Sequence, residues 1–134
     1  MLSVFPELLN YSLVGITLIR VLVGIVILYI GLITVSTKRA LYASEMHLKN
    51  HPFAESWPWV FGVVEILTGV FLLLGFLTQI MAIIAAYLFI NLGFVEKHIG
   101  KVLNQSTLFF FVMTTISVSI LFIGPGLFSI DLPL

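Results

Sequence analysis

Cysteine is absent from this chain and charge nearly so: six Lys/Arg and six Asp/Glu, 9% of 134 residues, cancel to a formal charge of zero. Without a thiol there is no disulfide framework, no thiolate nucleophile and no Cys-ligated zinc or iron–sulfur cluster, which excludes thiol redox chemistry within the chain. Without a basic excess there is no field to hold a phosphate backbone, which excludes nucleic-acid binding. No Gly-rich phosphate loop, Gly-x-Ser-x-Gly elbow or paired-carboxylate site occurs either, so self-contained hydrolytic catalysis is not expected. What is there is apolar: 60% hydrophobic residues at a mean hydropathy of +1.21. A soluble domain carries roughly a quarter charged residues because its surface must face water.

A helix crossing the hydrocarbon layer needs about 20 mostly apolar residues. Four runs qualify: 13–35, interrupted only by Arg20; 57–77, interrupted only by Glu65; 80–95; and 106–123, with its aromatic run Phe109–Phe111. Buried helices of a soluble bundle would show a charged outer face at helical period, and these do not. The expected fold is all-α: an integral membrane four-helix bundle with four transmembrane helices, one domain over 1–134. No basic n-region precedes residue 13 and the run exceeds a usual h-region, so the first span is expected to stay rather than be cleaved.

The connections 36–56 and 96–105 hold five Lys/Arg, against none in the N-terminal segment, the 78–79 turn and the C-terminal tail. Positive-inside reasoning puts both charged connections in the cytoplasm and both termini outside. Residues 38–50 read as an interfacial helix ending before Pro52. Trp57 and Trp59 read as interfacial anchors, with Pro58 at a helix start.

A lone charge at mid-span costs roughly 2.5–3.5 kcal/mol, so Arg20 and Glu65 each need a partner or a polar cavity. Arg20 lies about 10 Å and Glu65 about 18 Å below the terminal-side surface at 1.5 Å per residue, an offset side chains could close. Thr17, Arg20, Gly24 and Gly31 share one face of the first span; Gly62, Glu65, Gly69 and Phe76 share one of the second. Small residues let such faces approach closely. The expectation is an Arg20–Glu65 pair that either fixes the register of the bundle or lines a cavity for a carbonyl, carboxylate or quinol oxygen. Tyr87 and Asn91, at i and i+4, would add a phenol and an amide to it. The hydroxyls of the fourth span are expected to bond from helix to helix. His47 and His51 have ligand-like i, i+4 spacing, but the His-Glu-x-x-His pattern is missing and no metal is expected. The spans carry no His to ligate a haem axially.

Four stretches together resemble the DoxX family of small four-span bacterial and archaeal membrane proteins. They are Arg20-Val-Leu-Val-Gly24 with Leu28-Tyr-Ile-Gly31; Glu65-Ile-Leu-Thr-Gly69 with Leu72-Leu-Leu-Gly75; His98-Ile-Gly100; and the ending Gly124-Pro-Gly-Leu-Phe-Ser129-Ile-Asp131. The resemblance implies kinship with the small subunit of thiosulfate:quinone oxidoreductase, a prokaryotic plasma or inner membrane, and polar family positions at Arg20, Glu65, His98 and Asp131. The chain departs from the family at Gln79, where a basic residue is common, and at Ile30, where His is. A basic residue at 79 would argue for cytoplasmic termini, opposite to the loop count. The favoured expectation is an accessory subunit of a quinone-linked redox assembly, not catalytic alone, with no intrinsic cofactor. It would bind quinone or lipid and associate with other membrane subunits or with itself. A small-solute transporter or channel subunit, and an enzyme acting on a quinone or sulfur compound, are the alternatives.

Overall fold

The computed structural model describes residues 11–48, 56–98, 103–124, 126 and 129–130. The helices are α1 (Ser12–Ser36), α2 (Arg39–Leu48), α3 (Trp57–Leu74), α4 (Thr78–His98) and α5 (Thr107–Ile123), with no strand among the described residues. α1, α3 and α4 are long and apolar enough to cross a membrane, and α5 is a shorter apolar helix of 17 residues. At 1.5 Å per residue α5 covers about 26 Å, the low end of what a span requires. Large apolar side chains such as Leu18, Tyr29, Ile83, Phe94, Phe111 and Phe122 stand outward, the reverse of a soluble surface. The molecule is an all-α membrane helical bundle.

The short connection from α3 to α4 makes those two helices antiparallel neighbours, and α3 also packs on α1 while α5 packs on α4 and α1. α3 stops at Leu74 because Gly75 takes the left-handed cap conformation, φ 67°, ψ 38°, which residues with a Cβ rarely adopt. Phe76, expected on the face of Glu65, therefore lies in the turn beyond the helix, and Thr78 and Gln79 open α4. α4 runs on to His98 because charge ends the apolar run at 95 without ending the helix; Lys97 and His98 occupy its last turn, where cations suit the helix dipole.

The α1–α3 seam is built on glycine. A Cβ on Gly31 would stand 2.9 Å from both the Glu65 Cβ and the Ile66 nitrogen, and one on Gly69 would stand 2.9 Å from the Gly24 oxygen. Backbones this close replace the hydrophobic drive that lipid cannot supply. Gly31→Ala should cost about 1–3 kcal/mol through overpacking, read as a lower midpoint in detergent unfolding. Gly15→Ala should leave that midpoint unchanged, since nothing lies within 4 Å of its added carbon.

The hydroxyls of α5 correct an expectation. Thr114, Thr115, Ser117 and Ser119 bond the carbonyls of Phe110, Phe111, Met113 and Thr115 at 2.8–3.0 Å, four residues back in their own helix. In hydrocarbon the i−4 carbonyl is the acceptor always at hand, so helix-to-helix bonds are not needed. α2 forms where the amphipathic segment was expected and packs on α1 and α3. Its stop before Pro52 lies outside the described residues.

Candidate functional site

Glu65 sits mid-way along α3, its Cβ against Gly31. The side chain is 0% exposed, and neither Oε1 nor Oε2 has a hydrogen-bond partner. Across the seam Thr34 stands beside Glu65, its hydroxyl proton given to the Ile30 carbonyl at 2.9 Å and its oxygen still able to accept. A recess of about 30 Å³ opens at Glu65, walled by Thr34, Tyr42, Asn91 and Leu92. Its less buried rim carries Trp57 and Phe61, whose rings stack with centroids 5.6 Å apart. Tyr42, 4% exposed, reaches this recess from α2, and its hydroxyl also has no partner. Burial pushes the Tyr42 phenol well up, with the carboxylates of Glu96 and Glu65 adding to the shift, so the hydroxyl keeps its proton.

Two partnerless polar groups in one recess are unusual, because a buried polar group without a hydrogen bond costs about 1–3 kcal/mol. A bilayer interior offers no water to share, so the group needs a proton of its own or a ligand that donates to it. Chemically the arrangement can hold one oxygen of a ligand between a carboxyl and a phenol.

Glu96, near the end of α4, is buried but satisfied. Its Oε2 accepts from the Leu103 N–H at 3.0 Å and its Oε1 from the Gln105 N–H at 3.3 Å. It ties the α4–α5 connection to the bundle. Glu96→Ala should free both amides; hydrogen bonds to a charged acceptor are worth about 1.5–3 kcal/mol each, and faster amide exchange at 103 and 105 is the check.

The expected direct pair of Arg20 with Glu65 is not formed. A Cβ on Gly75 would come within 2.7 Å of Arg20 Nη1, which places the guanidinium at the far end of α3, ten residues past Glu65. At 1.5 Å per residue this is about 15 Å along the axis. The sequence estimate failed because the glycine seam sets a register in which Gly31, not Arg20, faces Glu65. Arg20, 1% exposed, instead lies beside Ser129 of the C-terminal segment, whose next residue donates from Ile130 N–H to the Gly75 carbonyl at 3.0 Å.

Of the other candidates, Asn91 lines the recess, its amide nitrogen donating to the Tyr87 carbonyl at 2.8 Å. Tyr87 is 59% exposed on the outer face of α4 and does not line the recess. Positions i and i+4 share a stripe, but the stripe's edge turns to lipid one turn earlier. His98 is exposed at the helix end, its Nδ1 3.0 Å from the Phe94 carbonyl. The side chain of His47 and all of His51 and Asp131 lie outside the described residues. Among the described residues no group of three His, Asp or Glu could hold a metal. Sequence reasoning missed Tyr42 and the burial of Glu96. The signal for Tyr42 was there: an interfacial helix must bury an apolar stripe, and Leu41 and Tyr42 are what α2 has to offer near its start.

No curated protein and no solved structure matches the chain. One family does, described as the TQO small subunit DoxD, over residues 38–134. The match takes in α2 to α5, hence Tyr42, Glu65, Asn91 and Glu96, while α1 with Arg20 and Thr34 lies ahead of it. With well over half its length matched, the chain belongs to the DoxD family, that of the TQO small subunit.

Proposed function

We propose that this chain is the membrane-embedded subunit of a thiosulfate:quinone oxidoreductase-like assembly, not catalytic alone, and that the recess at Glu65 receives an oxygen of the quinone headgroup. Family membership supports the first part. The second is carried by one observation: the carboxyl of Glu65 and the hydroxyl of Tyr42 are both buried, both without a partner, and share one recess. A quinone brings two carbonyl acceptors and a quinol two hydroxyl donors, so one ligand family can satisfy both groups in either redox state. The enclosed space of about 30 Å³ admits an oxygen and not a ring. The ring then stands at the mouth, beside the stacked Trp57 and Phe61, where a flat apolar body is well received.

Reduction of a quinone takes two electrons and two protons. A chain without cysteine has no thiol to supply electrons, so these come from the partner that oxidises the sulfur substrate, and Glu65 handles protons. A carrier or channel would need a continuous polar path, but the seam between Glu65 and Arg20 is filled by Leu28, Leu73 and glycines at contact distance.

Purification from native membranes in mild detergent tests the assignment. The expected result is a stoichiometric redox partner together with extractable quinone. Recovery of homo-oligomers alone, without redox partner or quinone, refutes it.

A further inference from the structure

α4 presents two different stripes. Asn91, Leu92 and Val95 line the Glu65 recess, whereas Ile90, Gly93, Phe94 and Lys97 stand on another face, spaced three and four apart as one helical face requires. With the facing residues of α5, this second stripe bounds a groove of about 280 Å³, close to the lower end of the roughly 300–1,000 Å³ of ligand clefts. Its floor is Gly93 with the buried rings of Phe89 and Phe110. Phe110 lies so near that a Cβ on Gly93 would stand 3.3 Å from its own. Phe94 of α4 and Phe111 of α5 are exposed and form the two walls. The hydroxyl of Thr114, at the inner end, donates to the Phe110 carbonyl at 2.8 Å, so the groove is apolar in its depth.

The outer end is different. There Lys97, exposed in the last turn of α4, stands with Thr107, the first residue of α5. Five of the six Lys/Arg lie in the two connections at this end of the bundle. Glu96 does not cancel the charge, because it is buried and its oxygens are held by the Leu103 and Gln105 amides, and the first turn of α5 has no acidic residue. A lysine stem can lie along an apolar wall while its ammonium reaches the headgroups. From Phe89 to Lys97 the groove runs about 12 Å along the axis at 1.5 Å per residue, most of the depth of one leaflet, which is about 15 Å of a hydrocarbon core of about 30 Å. A helix of a partner subunit would need a seat along the whole span. We propose that the groove holds one anionic phospholipid, an acyl chain lying over Gly93 between Phe94 and Phe111 and the phosphate at Lys97 and the Thr107 hydroxyl. Lining, length and charge all match that one occupant, and basic pockets between spans are general sites for anionic headgroups.

The test is native mass spectrometry of the purified full chain in detergent, incubated with an equimolar mixture of phosphatidylglycerol and phosphatidylcholine of the same acyl chains. The expected spectrum shows one retained lipid, with phosphatidylglycerol preferred. Lys97→Gln should lower that preference about fivefold, the effect of one basic residue at an anionic membrane surface. Lys38→Gln removes the same charge at the same end but outside the groove, and should leave the preference as it is. Thr114→Leu, which puts a branched side chain into the inner end, should lower retention of both lipids. Equal retention of the two lipids by the parent chain, an equal loss of preference in Lys38→Gln and Lys97→Gln, or undiminished retention in Thr114→Leu overturns the proposal. So does a lipid-free homo-oligomer crosslinked through Phe94 and Phe111, because a second copy then covers the groove. Retention of a short-chain ubiquinone analogue is scored on the same proteins. Lys97→Gln should keep it; its loss there assigns the groove to the quinone and overturns the lipid assignment. If the parent chain retains no analogue, the quinone reading at Glu65 fails and the lipid counts still decide the groove.

Discussion

Glu65→Gln is expected to lower quinone-linked turnover of the assembled complex by about 10²–10⁴-fold, the usual worth of a positioned proton donor or acceptor. The amide has nearly the volume of the acid and leaves the Cβ contact with Gly31 as it is, so the fold should survive. It can still accept and donate a hydrogen bond, and headgroup retention should therefore fall far less than turnover. Glu65→Leu sharpens the point. Replacing a buried carboxyl that has no hydrogen-bond partner by an apolar side chain should be neutral or stabilising by about 1–3 kcal/mol, while activity disappears. A more stable and inactive protein is the mark of a group retained for chemistry. Undiminished turnover in Glu65→Gln, with a large loss of stability in Glu65→Leu, would instead make Glu65 a structural element. Steady-state quinone reduction and detergent unfolding on the same preparations decide it.

How much of this the sequence could tell depends on which force places each residue. The helices were legible because apolar run length and the bilayer's thickness are matched quantities: three spans were foreseen within a few residues, and α4 was under-read at both ends, where Thr78 and Gln79 open it and Glu96, Lys97 and His98 extend it past its apolar stretch. That Glu65 needs a polar setting was legible from the cost of burying it. What it meets was not. Its partner depends on the sliding register of α1 against α3, which is fixed by the close contacts of Gly24 with Gly69 and of Gly31 with Glu65 and Ile66. Counting from span ends carries an error of several residues, and five residues along a helix is about 7.5 Å, enough to turn a real separation into an apparent pair. Tyr42 was legible only from α2 itself, whose apolar stripe must be buried; no periodicity within the spans announces that its aromatic folds inward over the end of the bundle.

Replacing Arg20 by alanine is expected to loosen the C-terminal segment and leave the Glu65 recess unchanged. The guanidinium packs where Gly75 has no Cβ, beside the Cα of Ser129, and Gly126 lies against Thr17, so the last described residues fold back over the ends of α1 and α3. Removing a side chain that is 1% exposed should cost about 2–5 kcal/mol, the range for emptying a buried site. The exchange of the Ile130 amide, which now bonds the Gly75 carbonyl, should accelerate, while retention of the ubiquinone analogue stays within about twofold. A double-mutant cycle with Glu65→Gln makes the separation quantitative. Sites more than 7–10 Å apart without shared partners add to within about 0.5 kcal/mol, whereas residues in contact couple by about 0.5–3 kcal/mol. The ten-residue offset along α3 therefore predicts additivity in unfolding free energy. A coupling above about 1 kcal/mol, or loss of the quinone analogue in Arg20→Ala, would show the two charges acting as one site and would return Arg20 to the recess. Should Arg20→Ala prove too unstable to purify, Arg20→Lys keeps the charge and tests the same cycle, because a direct ion pair would be weakened by losing the planar fork and a distant anchor would leave Glu65 indifferent to the change.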